Sequence, residues 1–174
     1  MCENHLGKAL CRRIVTTLEK TGIHAQLTQH QNSALLPQPV FHIQTNEFTV
    51  WVIAHRLLSA NLACRQNLVN TIMNTQSMMP DNQPQHLVIV ADHWFDRSKA
   101  SKEIPAWWLG ALPDNVLDYQ QDGIRLLSPE MSLAEQLSKL PLTQCQFQIH
   151  HPLKRESGSK IVHKYLLLTA HCWQ

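Results

Sequence analysis

The sequence predicts an α/β fold: a mixed central sheet flanked by helices, with an α-β-β-β-α-β core and a C-terminal strand–helix–hairpin extension. Three observations predict it. Apolar residues recur at helical spacing near the start, at Leu6, Ala9, Leu10, Ile14, Val15 and Leu18. Two runs, residues 48–55 and 86–91, are apolar on both alternating faces, as strands in the middle of a covered sheet are. A second helical stripe, over residues 59–74, separates those two runs, which is the order of a parallel crossover.

The elements follow in order. The first helix spans about residues 4–20, and Gly22 supplies its C-terminal cap. Ile23, Ala25 and Leu27 alternate with polar residues and predict a strand. A polar loop holding Pro37 and Pro39 leads to a strand at 40–45, a tight Asn46-Glu47 turn and the strand 48–55. Ser59 is positioned to cap the next helix, whose Leu62, Ala63, Val69, Ile72 and Met73 form its core-facing stripe. After the central strand 86–91, residues 97–122 read as irregular and 123–127 as a short strand. Ser132 and Glu135 form a capping box opening a helix that ends before Pro141. Residues 144–150 alternate cleanly, and 161–170 fit a strand completing a hairpin better than a helix.

At 174 residues the chain fits a single α/β domain over 1–174, its core at about 4–128 and the extension at about 129–174. Apolar content of 44% is that of an ordinary globular protein, and no run approaches a membrane span. The five cysteines, Cys2, Cys11, Cys64, Cys145 and Cys172, are scattered and never spaced as metal ligands. They read as reduced, which places the protein in the cytoplasm. Net charge is only +2, but residues 1–80 carry six Lys/Arg against three acids and residues 150–174 four against one. The stretch 81–149 carries five against nine, so mildly basic ends enclose an acidic middle.

The element order over residues 4–91, with Phe48-Thr-Val-Trp-Val-Ile-Ala-His-Arg-Leu-Leu running into a Gln/Asn-rich helix, resembles the PD-(D/E)XK, or restriction-endonuclease-like, superfamily. A strand at 87–91 followed by Ile104-Pro105 and Trp107-Trp108 adds to the likeness. The resemblance implies a carboxylate on the second strand and Glu/Asp-x-Lys on the third, holding Mg²⁺ for phosphodiester cleavage. This chain has Gln44, Ile53 and His55 there, and Glu47 is the only acid between Leu27 and Met79. Ile53 has no ligand atom, and His55 does not replace a lysine that stays charged at neutral pH. No catalytic residue, metal ligand or cofactor is therefore assigned.

What remains is binding. Arg12, Arg13, Arg56, Lys154, Arg155, Lys160 and Lys164 are the candidate contacts to DNA or RNA, weak and made to the backbone, with Arg65 a further cation. Trp107 and Trp108 are the candidate anchors for a protein partner or a second copy of the chain, beside the plainer reading that they pack in the core. Asp92, His93 and Asp96, just past a central strand, are oxygen and imidazole groups able to hold a divalent metal, beside the plainer reading of a polar turn. Glu19 and Glu47 are the positions for displaced nuclease acids, beside the plainer reading of a solvated helix residue and a turn residue. The functional expectation is a non-catalytic, nuclease-like protein in a nucleic-acid-handling assembly. Its alternatives are a scaffold subunit without nucleic-acid contact and a metal nuclease with migrated acids.

Overall fold

The computed structural model describes residues 3–32, 36–141, 144–152 and 165–174. Helix α1 (Glu3–Lys20) is followed by strands β1 (Gln26–Asn32), β2 (Leu36–Gln44) and β3 (Thr49–Leu57), helix α2 (Leu62–Ser77) and strand β4 (Gln85–Trp94). The α-β-β-β-α-β order read from the sequence is thus present. Helices α3 (Lys99–Leu109), α4 (Val116–Gln121) and α5 (Leu133–Gln136) then lead to strands β5 (Gln144–His150) and β6 (Tyr165–Trp173). The strands form one mixed sheet in the order β1-β2-β3-β4-β6-β5. Only β3 and β4 pair in parallel; every other neighbour is antiparallel. These two strands stand at the centre, as their apolar character on both faces requires.

Helix α1 ends where Gly22 takes φ 85°, and the Ile23 N–H closes onto the Leu18 carbonyl. Its other glycine is there for packing. A Cβ on Gly7 would collide with the Phe41 ring and come within 3.2 Å of Ala54 Cβ, so the missing side chain lets α1 lie close on β2 and β3. Beneath it, Cys11, Phe41, Ile43, Val50 and Val52 make one core. The larger core lies on the opposite face, where Trp51, Ile53, Leu87, Ile89, Leu166 and Leu168 meet α2 and α3.

Several elements differ from expectation. Strand β1 runs on to Asn32 through residues read as loop, and Leu27 is 40% exposed, because β1 is an outer strand with little apolar demand. Strand β2 begins early enough to contain Pro37 and Pro39. Asn61, not Ser59, caps α2 by accepting the Cys64 N–H. The buried side of α2 is Arg65, Leu68, Val69, Thr71, Ile72 and Thr75, whereas Leu62 and Met73 face outwards. The stretch 97–122 holds α3 and α4, although Pro105 lies inside α3. Residues 123–127 form no strand, and α5 spans a single turn. The C-terminal hairpin belongs to the main sheet, since β6 pairs with β4 along its whole length.

The cysteine reading changes too. Cys145 and Cys172 face each other in register on β5 and β6, with Cα atoms 4.1 Å apart, and form a disulfide. Their separation of 27 residues hides this from the sequence, because only the hairpin brings them opposite. Cys11 stays free and buried, which pushes its thiol up to about 12, and Cys64 is also free. The disulfide removes the cysteine argument for a reducing compartment. Among the described residues no helix is long and apolar enough to cross a membrane.

Candidate functional site

The positions where a nuclease would hold its metal do not converge. Gln44 is exposed at the turn end of the β2–β3 hairpin, in register with Thr49, while Ile53 pairs with Val40 farther along. Ile53 is fully buried in the larger core and His55 is 2% exposed. Burial lowers His55 to about 4, outweighing the opposing pull of Asp92 and a backbone hydrogen bond at Cys64, so its imidazole is neutral at physiological pH. Glu19 and Glu47 are exposed, on α1 and in the hairpin turn.

Asp92, His93 and Asp96 take three separate roles. Asp92 accepts from Arg56 Nε at 3.3 Å and from the Tyr165 hydroxyl at 3.2 Å. His93 alternates to the opposite face, where its Nδ1 donates to the Leu57 carbonyl at 2.9 Å and its Nε2 accepts from the Ser101 hydroxyl at 2.7 Å. The carbonyl can only accept, which assigns the tautomer. Burial lowers the His93 pKa and keeps the ring neutral. Asp96 accepts the Ser98 N–H at the start of α3, and hydrogen bonds at Ser98 hold its carboxyl below the usual range. Among the described residues no group of three or more His, Cys, Asp or Glu is placed to hold a metal ion.

The sheet itself presents a different site. Helix α1 packs on β2 and β3 and touches β1. On that same face the side chains of β6 and β5 are less covered, while on β4 His86, Val88 and Trp94 are partly or fully exposed and Val90 and Asp92 are buried. Along β6, Leu166, Leu168, Ala170 and Cys172 are buried on the α3 side, and the alternating Tyr165, Leu167, Thr169, His171 and Trp173 are only partly buried. Along β5, Gln144, Gln146, Gln148 and His150 are all exposed. Rings lie at both ends of this open half, since Trp94 pairs with Tyr165 at one end of β4 and His86 with Trp173 at the other. Trp94, 53% exposed, leans on Tyr165 with centroids 4.8 Å apart. His86 stacks on His171 at 5.2 Å, and His171 in turn on Trp173 at 4.7 Å. Arg56 and Asp92 lie beside Trp94 and Tyr165 at the C-terminal ends of the two parallel strands, the edge at which open α/β sheets bind ligands, whereas His86, His171 and Trp173 lie at the opposite end of β4.

Of the basic residues singled out in the sequence, Arg12 and Arg13 are exposed on α1, in the layer covering the same face to which Arg56 belongs. Arg12 and Lys8 line a shallow cavity of about 280 Å³ above Leu27, Gln29 and Phe41. Lys154, Arg155, Lys160 and Lys164 lie outside the described residues. Arg65 is not available to a phosphate. It is 3% exposed and spends its donors on the Ala60 and Ala100 carbonyls and on Glu103, beside the Trp107 ring. Beyond it a cavity of about 640 Å³ is lined by Lys99, Glu103, Trp107 and Glu130 among others, its cations matched by carboxylates.

Trp107 and Trp108 are not partner anchors but core residues, 1% and 0% exposed. Their indole N–H groups are satisfied inside, Trp107 by Gln136 Oε1 and Trp108 by the Thr169 carbonyl. Among the described residues Trp94 is exposed, and Tyr165 and Trp173 are partly exposed, on the open face of the sheet. The alternation of Leu166, Leu168 and Ala170 with Tyr165, Leu167 and Thr169 was the sequence signal for that face.

No protein-family model and no curated protein matches the chain. Among solved structures, truncated TDP2 from Caenorhabditis elegans is similar at 10% identity and a TM-score of 0.31. The alignment takes in 87% of this chain and 66% of that one, and so distant a likeness carries no argument about function.

Proposed function

We propose that this protein is a non-catalytic, nuclease-like member of a nucleic-acid-handling assembly, and that it meets single-stranded nucleic acid with the open half of its sheet. The observation that carries the reading is a pair of ring clusters on the same sheet face, Trp94 with Tyr165 and His171 with Trp173, at opposite ends of the paired strands β4 and β6, so that one nucleic-acid strand laid along them would meet both. Bases stack on such rings without regard to sequence, each stack contributing about 1–3 kcal/mol. Arg12 and Arg13 on the neighbouring α1 supply positive charge for the backbone, and Arg56 adds a guanidinium already held by Asp92. The reading as non-catalytic is supported by Ile53 and a neutral, buried His55 standing where metal-binding and cationic groups would be needed.

Fluorescence anisotropy with a labelled single strand and the matching duplex tests this. Binding at low salt should favour the single strand, weaken as salt rises, and fall several-fold in Trp94→Ala. Neither DNA nor RNA should be cleaved with Mg²⁺ or Mn²⁺. Absence of binding at low salt would remove the nucleic-acid reading and leave a scaffold subunit. Metal-dependent cleavage lost in Glu47→Ala or Asp92→Ala would replace it with a nuclease.

A further inference from the structure

His86 and His171 sit on neighbouring antiparallel strands, where Val88 pairs with His171 and His86 with Trp173, so the two imidazoles are diagonal neighbours on the open face. His86 Nδ1 and His171 Nε2 are 3.0 Å apart, and the rings are inclined by only 20°. A hydrogen bond between two imidazole nitrogens needs one lone pair and one N–H, so the pair shares a proton between two potential ligand atoms. Both rings are held in place: His86 by the edge of Phe48 at 5.7 Å, His171 by Trp173. Both are also partly exposed, which leaves a path for an ion.

We propose that His86 and His171 form a two-imidazole chelate for a divalent transition-metal ion. Metal–imidazole bonds are about 2.0–2.1 Å long, so two of them at a right angle place their nitrogens about 2.9 Å apart. The 3.0 Å separation meets that requirement without movement of either strand. Loading shifts the N–H of the donating ring to its other nitrogen, by exchange with solvent, so that both imidazoles stay neutral, and each ring turns to aim its lone pair at the ion. Gln146 lies opposite His171 in register on β5 and is exposed, so its amide oxygen is a further donor on the neighbouring strand; water completes the shell. Borderline nitrogen ligands select Cu²⁺ over Ni²⁺ and Zn²⁺, and leave the hard ions Mg²⁺ and Ca²⁺ unbound. The site is independent of the nucleic-acid reading, because it is measured with ions alone.

The test is calorimetric titration of the full chain, stripped with chelator, with CuCl₂, NiCl₂, ZnCl₂ and MgCl₂. One saturable site is expected for the first three and none for magnesium. His86→Ala and His171→Ala should each weaken it more than about tenfold, while His150→Ala, on the same face, leaves it intact. Melting temperatures in chelator show whether a variant is folded. If either is not, electron paramagnetic resonance of the Cu²⁺-loaded wild type decides, with hyperfine coupling from two imidazole nitrogens expected. No saturable binding, binding undiminished in the two variants, or coupling to fewer than two imidazoles would each overturn the proposal.

Discussion

Replacing Glu103 probes how α2 is fastened to α3. The Arg65 side chain is 4% exposed and that of Glu103 16%, with Nη2 and Oε2 3.1 Å apart. The same guanidinium donates to the Ala60 carbonyl at 2.7 Å and the Ala100 carbonyl at 2.9 Å, and lies 5.7 Å from the centre of the Trp107 ring. Glu103→Ala strands this cation among neutral acceptors. Removing one partner of a buried pair costs about 3–5 kcal/mol. Two carbonyls still hold Arg65 and water can enter from the cavity beside it, so the lower end, about 3 kcal/mol, is expected. Glu103→Gln keeps the accepting oxygen and loses only the charge, which should cost about 1–2 kcal/mol. Urea unfolding followed by circular dichroism measures both, with an unchanged m-value showing that the transition itself is the same. For a chain of this length the alanine variant should melt roughly 6–12 °C lower. Equal losses in the two variants, or less than about 1 kcal/mol for alanine, would refute the argument that charge fastens these helices.

Two further outcomes follow from buried groups. His55 has a folded value of about 4, below the ordinary 6.5, so the unfolded chain takes up its proton first. Its contribution is full above pH 6.5 and is lost as pH falls towards 4, a loss of roughly 3 kcal/mol. Unfolding titrations at several pH values should show a shallower acid decline in His55→Gln, and an identical decline would contradict this. The Cys145–Cys172 bond closes a hairpin of 27 residues, and its reduction should lower stability by about 3–4 kcal/mol. Intact mass measured without reductant should be two hydrogens below that of the reduced chain, and two free thiols there would rule the bond out.

The central strands were readable because burial on both faces leaves a continuous apolar run, as at Val50–Ile53 and Leu87–Ala91. The outer strand β1 was harder to see. Its sequence, Gln-Leu-Thr-Gln-His-Gln-Asn, has little apolar demand, and hydrogen bonding to β2 alone makes it a strand. Residues 97–122 read as irregular because polar residues are mixed with Trp107 and Trp108, yet α3 forms there with Pro105 inside it, burial of Ile104, Trp107 and Trp108 outweighing one missing backbone bond. The exposed Trp94 and the buried Trp107 and Trp108 could not be told apart by residue type; only their neighbours decide. That Ile53 brings no ligand atom was legible at once, since no fold supplies one. The His86–His171 contact joins residues far apart in the chain, and nothing local marks it.

The strand order gives β6 an interior berth between β4 and β5, although it follows all other strands along the chain. During synthesis from the N-terminus, β1 to β4 can assemble through hairpins and one crossover, but β4 then waits with its hydrogen-bonding edge open. That edge belongs to a strand carrying Leu87, Ile89 and Ala91, apolar side chains that attract other chains when unpaired. Arrival of β6 closes that edge and joins β5 to the sheet in the same step, and any delay there extends the time open to misassembly.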